Sequence, residues 1–547
     1  MIKKVFVAVL FLSSFGYSQN TDSLYKAIVK LTSGQSSQNE IQGNVQNEKC
    51  AFALFAEVKQ NFDKFTPKQQ NVLTSILNRP NTDTSIVSPS GFFRIHYSFN
   101  KFDKPGYSIQ DLAVAFDSSY NFEVNFLGYP PPPPDGNEGG DDKYDVYVID
   151  LSGGLYGYTE PATQITNFTS SSFIVMDNDY QNYYSSGFNG AKVTAAHEFH
   201  HAIQIGNYIF RDADRWYYEL TSTSMEEFVF DDVNDYYAYI PSFFNSPFKT
   251  ISSHTGYDMA LWNIYLHERF FQENPMLGYN IIKRSWELMV HNRATVAIAK
   301  AVQEKGHSFK FEYANFGEWI YFTNYRAKTN SYFEEAKNYP LIHPTTTIEF
   351  VPPKKQLSIT SEPVSFNYII FPDFSHNFTD TLVTIISNSD VEGATDPGNN
   401  ILNLNYTISS NQFENSNKIN EFYFSKISSD KSVYLTELDI FNNQPTGQTV
   451  KREEIDYAYP QPFDYSNGTF IYFPTSLNTN GEADLNIYTS SMKLIYSAKK
   501  KIFVTDKIVV QWNAKDFNGA KLPTGVYIYV TKSADNVKKG KFIIYNK

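Results

Sequence analysis

Cysteine is almost missing from this chain. Its 547 residues include one, Cys50, so an internal disulfide framework and a cysteine-rich metal module are both excluded. Charge is also sparse, at 19% of residues, and 46 basic against 58 acidic side chains leave a net −12. That sign argues against nucleic acid or anionic lipid as the main partner. Long apolar runs are absent beyond Val5–Leu12, which falls well short of the ~20 residues of a membrane span, so the mature chain is expected to have no transmembrane segment. What the chain has in quantity is aromatic: 46 Phe and 40 Tyr, within 41% hydrophobic residues. That content supports real cores and favours β-rich domains, and the length exceeds what one core usually sustains.

The order of segments predicts five regions. Lys3-Lys4, the apolar run and the small residues Gly16 and Ser18 read as a secretory signal peptide over residues 1–18, and hence a secreted or cell-surface protein. Residues 19–88 read as helical. Thr66-Pro67 fits an N-cap followed by Pro at the first helical position, and Phe52, Phe55 and Val58 make an apolar stripe. This region is either a pro-segment covering a site or a helical cap on the next domain. Cys50 within it is either a small buried hydrophobe or a thiolate that plugs a metal.

Residues 89–345 read as a mixed α+β core. Phe93–Tyr97, Phe122–Phe126, Tyr144–Ile149 and Ser172–Asp177 are predicted strands, and residues 191–340 are mostly helical, including Tyr257–Phe271 and Asn280–Val290. The Pro130–Pro134 run leads into the acidic turn Asp135–Asp142, which reads as solvated, with Ca²⁺ as the sharper alternative. Alternation after Pro340 predicts two β-sandwich modules, an accessory one at 346–455 and another at 456–547.

Three of the ten histidines fall in His197-Glu198-Phe199-His200-His201. On a helix, His197 and His201 are one turn apart and can share a Zn²⁺ at ~2.0–2.1 Å, and Glu198 is placed to take a proton from a metal-activated water. Phe199 and Ile203 would anchor the helix, and His200 reads as an exposed neighbour. Glu219, 18 positions after His201 on a second predicted helix, completes a His₂Glu set. Glu226 lies on the same face, either behind a ligand or in place of Glu219.

His197-Glu198-x-x-His201 with Trp216-x-x-Glu219 resembles the gluzincin metallopeptidases, the zinc clan of thermolysin and the zinc aminopeptidases. The resemblance implies a zincin-like core, His197, His201 and Glu219 as zinc ligands, Glu198 as general base, and a protein or peptide substrate. Gly128-Tyr-Pro, Asp135-Gly and Tyr144–Tyr147 also look like a group of large secreted bacterial members. Leu220 stands where aminopeptidases carry Gly, and Thr223 where thermolysin carries Asp. Gln204 and Asn207 depart from the metzincin pattern, which rejects that clan, and with Leu220 and no Gly-x-Met-Glu-Asn segment an endopeptidase is favoured over an aminopeptidase. The resemblance further implies a Tyr or His donor for the oxyanion after the third ligand, and Ser252–Asp258 offers Tyr257 first and His254 second.

Tyr459-Pro-Gln-Pro-Phe463, Trp512, Asn518-Gly519 and Leu522–Tyr529 resemble the C-terminal sorting domain of the type IX secretion system, which implies that export machinery as a partner. A zinc aminopeptidase, or a surface adhesion protein whose site is inactive, are the competing readings.

Overall fold

A computed structural model describes residues 21–32, 49–100, 102–151, 154–328, 330–348, 354–371, 382–395, 402–412, 419–428, 435–442, 457–465, 470–475, 481–504, 508–533 and 536–546. The signal-peptide reading, on residues 1–18, lies outside them. Among the described residues, no helix is long and apolar enough to cross a membrane. The chain forms helices and several sheets, and its contacts divide it into two units.

The first unit comprises residues 1–241, 255–267 and 278–294. Its sheet runs in the order β1-β2-β3-β5-β4, with β1 Thr84–Val87, β2 Phe93–Tyr97, β3 Tyr144–Ile149, β4 Gly157–Gln164 and β5 Ser170–Asp177. β2, β3 and β5 are parallel, while β1 and β4 run antiparallel to their neighbours and form the edges. The central strands β3 and β5 are buried on both faces, as expected of a sheet covered on both sides.

One cover is N-terminal: α1 (residues 21–32), α2 (Phe52–Gln60) and α3 (Pro67–Ile76). Leu24, Ile28, Phe55, Val58 and Leu73 join Tyr147, Tyr158, Phe173 and Val175 in one core. α3 begins as its sequence dictates, with Thr66 and Gln69 in a capping box and Pro67 in the first turn. Residues 21–32 and 49–77 are therefore built against the sheet's core.

Helix α4 (Ile109–Tyr120) continues directly into a π-helical turn, Asn121–Phe126, where a strand was expected. The apolar alternation of Phe122, Val124 and Phe126 misled because Phe122 and Phe126 stack on each other at i, i+4, and Glu123 is the buried position. Helix α5 (Phe188–Asn207) lies against β4 and β5 and is buried on nearly every side. α6 (Arg215–Val229) packs along it after the short turn Asp212–Asp214. Tyr257–Met259 is a 3₁₀ turn ahead of the helix Leu261–Phe271, so that helix starts one turn later than expected.

The second unit comprises residues 242–254, 268–277 and 295–547. It holds the helix Phe309–Tyr321, a three-stranded sheet (Lys354–Ser361, Leu402–Gln412, Ile419–Ser428) and a four-stranded one through Ser365–Phe371 and Leu382–Asn388. Two further sheets follow, of five and three strands, between Phe463 and Tyr545. Phe473, Trp512, Tyr529 and Phe542 pack between these last two.

Candidate metal centre

The site is built where α5 passes α6 and the start of β4. His197 Nε2 lies 3.1 Å from His201 Nε2 and 3.2 Å from Glu219 Oε2, and His201 Nε2 lies 3.4 Å from the same oxygen. A tetrahedral ion with ligands at ~2.0–2.1 Å has ligand–ligand edges of ~3.3–3.4 Å, so the three donor atoms already stand at that spacing. Cys50 Sγ joins them, with all four donor atoms within 4.8 Å of one another and all four residues buried. Cys50 is buried, as a small hydrophobe would be, and its thiol lies among the donor atoms.

The tautomers are fixed from behind. His197 Nδ1 is 2.7 Å from Glu226 Oε1, and His201 Nδ1 is 2.7 Å from Gln204 Oε1. Gln204 is oriented by its own amide, which donates to Thr221 Oγ1 at 2.9 Å and Tyr218 O at 3.2 Å. Each imidazole therefore donates through Nδ1 and turns its Nε2 lone pair inward. Two lone pairs at 3.1 Å repel unless a cation lies between them, so the donor chemistry fits a metal ion.

Burial alone would depress the His197 imidazole, but Glu219 and Glu226 raise its pKa to about 9. Burial would raise the Glu219 carboxyl, yet the two imidazoles lower it to about 2. Burial, followed by the Glu198 and Glu219 charges, pushes the Cys50 thiol well up.

Glu198 points to β4, where its carboxylate accepts from Thr159 Oγ1 at 2.9 Å. Tyr257 stacks on His197 with ring centroids 6.0 Å apart. Its hydroxyl accepts from the Cys50 N–H at 3.2 Å and donates to the Cys50 carbonyl at 3.4 Å. His254 belongs to the second unit, with its ring against Phe243. Glu226 stands behind His197 and does not join the converging atoms.

His200 is not an exposed neighbour. It is fully buried because α5 has no solvent face there, and its Nδ1 lies 2.7 Å from Glu123 Oε2 in the π-helical turn. Burial pushes the Glu123 carboxyl up and the His200 imidazole down, so the pair rests neutral.

Two glycines allow the elements to approach. A Cβ on Gly157 would meet Thr194 Cγ2 at 2.9 Å and Glu198 Cγ at 3.3 Å. Gly256, at φ +101°, lies so close to α6 that a Cβ would fall 2.1 Å from Trp216 O and 2.8 Å from Glu219 Cβ. Sequence reasoning passed over both, along with Gln204, Thr159, Lys49 and Asp235. Only Gln204 carried a usable signal, being a polar residue at i+3 from a ligand histidine on the same helix.

The carboxylates of the Asp135–Asp142 turn face cations of the chain. Asp135 pairs with Arg79 at 2.5 Å, and Asp141 with Arg94 and with Lys143 at 2.9 Å.

No family model and no curated protein matches the chain. A solved structure of PorZ, described as an essential bacterial surface component of the type-IX secretion system of Porphyromonas gingivalis, is similar over 33% of this chain and 30% of its own. The identity is 13% and the TM-score 0.14, a likeness too slight to carry the fold.

Proposed function

We propose that this chain is an exported zinc-dependent endopeptidase with a zincin-like core, its metal held by His197, His201 and Glu219. The observation that carries the reading is the spacing of three donor atoms at 3.1–3.4 Å, with both imidazoles locked to present Nε2. Zinc there would supply Lewis-acid polarisation of a water and of the scissile carbonyl.

The chain's own residues do the rest. Glu198, oriented by Thr159, takes the water proton and hands it to the leaving amine. Tyr257 already donates to a carbonyl oxygen next to the centre, that of Cys50, and serves the oxyanion in the same way. Glu226 and Gln204 keep the ligand imidazoles neutral at Nε2. The final module, 456–547, acts as the address for type IX export; normal secretion of a chain ending at residue 455 would refute that role.

Metal analysis tests the centre. One zinc per chain is expected in the wild type and sharply less in His201→Ala. If Glu219→Ala binds zinc normally while Glu226→Ala does not, the third ligand is misassigned. Because the Cys50 thiol lies among the donor atoms, turnover of a denatured protein is read in a Cys50→Ala background. There Glu198→Gln keeps its zinc and loses about 10²–10⁴-fold in rate. Undiminished turnover in that variant removes Glu198 from the mechanism.

A further inference from the structure

Lys49 is a lysine with 1% exposure, and its ammonium lies 2.6 Å from Glu226 Oε2 and 2.6 Å from Asp235 Oδ2. Both carboxylates are fully buried, and the rings of Tyr156 and Tyr239 flank the ammonium at 4.7 and 5.7 Å. Tyr156 also donates to Asp235 Oδ1 at 3.0 Å, which leaves Oδ2 for the cation. The backbone beside this pocket lies as a docked peptide would. Tyr156 N–H donates to Lys49 O at 2.9 Å, Ala51 N–H donates to Gly157 O at 3.3 Å, and Cys50 bridges Gly157 at the start of β4, the edge strand. Extended peptides bind sheet edges through such main-chain bonds, with alternate side chains entering pockets. Here one side chain enters the donor set and its neighbour enters the acidic pocket.

We infer that Glu226 and Asp235, walled by Tyr156 and Tyr239, form a subsite for the lysine or arginine side chain of a peptide substrate, and that Lys49–Ala51 is its resident occupant. The inference rests on the endopeptidase reading and adds the substrate class to it. Two adjacent carboxylates buried without a cation are strongly disfavoured, so a side chain that displaces Lys49 is favoured when it brings its own positive charge. Cys50 then has a defined place, with its thiol among the donor atoms and its carbonyl on Tyr257, so a peptide could reach the donor set only once this occupant leaves.

The pocket is tested first without catalysis. Full-length Lys49→Ala opens a space the size of an alkylammonium over the two carboxylates. n-Butylammonium is expected to raise its melting temperature by several degrees and n-butanol to leave it unchanged, with the rise lost when Asp235→Asn is added. If Lys49→Ala does not fold alone, soluble yield on refolding with each compound becomes the readout.

The substrate class is tested in full-length Lys49→Gly/Cys50→Gly with N-acetylated peptides. A peptide with Lys next to the cleaved bond should be cut about 30-fold or more faster than its norleucine twin, and Asp235→Asn should narrow that ratio. Equal effects of butylammonium and butanol, equal cutting of the two peptides, or cutting that demands a free N-terminus would overturn the subsite. Zinc-free protein that still shows the ammonium effect refutes the metallopeptidase reading instead, whereas zinc-loaded protein without it refutes the pocket.

Discussion

Replacing Gln204 with Leu tests whether the centre depends on the orientation of its ligands. Gln204 is buried, Leu has nearly its volume, and the substitution removes the acceptor 2.7 Å from His201 Nδ1. Without it the imidazole can turn or tautomerise, and loss of such a partner typically costs 10–100-fold in metal affinity. The structure places this case near the low end. Ser222 Oγ stands 3.2 Å from the same nitrogen and can take over as acceptor, and Thr221 keeps its bond to Tyr217 O at 2.9 Å. Gln204→Leu should therefore weaken zinc binding by about tenfold, and Gln204→Leu/Ser222→Ala by about a hundredfold, or ~1.4 and ~2.8 kcal/mol. Competition with a chromophoric chelator, on full-length protein of checked thermal stability, measures both. If the double variant holds zinc as tightly as wild type, the imidazole is not positioned by these groups.

Tyr257→Phe, in the background freed of Cys50, should lower kcat by about 10²–10³-fold with zinc content unchanged, and a wild-type kcat would remove the phenol from the mechanism. Gly256→Ala forces a Cβ against Trp216 O at a φ of +101° and should destabilise the fold by about 3 kcal/mol or more, with zinc lost alongside because Glu219 is the next atom struck; a melting temperature equal to wild type refutes it. In the second unit, burial would depress His307, but Glu273 and Glu312, 3.5 and 3.6 Å away, raise its pKa to about 9 from 6.5. Its charge then contributes stability in full below pH 6.5 that is lost as pH rises through about 9, on the order of 1 kcal/mol given the long contacts and the exposed Glu273. Denaturation midpoints of His307→Gln should fall less over that interval than those of wild type, and parallel curves would show that His307 does not titrate there.

Local chemistry made the helices and the donor residues legible. An N-cap Thr66 followed by Pro67 announces α3, and a one-turn histidine pair followed by a carboxylate names three residues that the fold brings together. Edges and long-range partners were not legible. β4 carries Glu160, Pro161 and Gln164, a poor strand sequence that succeeds because it pairs on one side only and its Pro needs no ladder bond. The turn at Asn121–Phe126 alternates like a strand, yet it extends a helix because Glu123 finds His200 inside the core. Lys49 and Asp235 are 186 positions apart, so no spacing rule could join them.

Glu226 shows why the pocket and the centre belong to one device. One of its oxygens accepts from His197 Nδ1 and the other from Lys49 Nζ. A carboxylate that shares its charge with a lysine is a weaker acceptor for the imidazole, so His197 presents a less electron-rich Nε2 while the pocket is filled. When the pocket empties, Glu226 turns its whole charge on His197 and makes its Nε2 a stronger donor. A cation in the acidic subsite, whether it is Lys49 in the resting chain or a basic side chain in a bound peptide, would therefore set how strongly His197 donates. The subsite would then do more than select a substrate, because the same charge that fits the pocket would tune the donor strength of a proposed metal ligand.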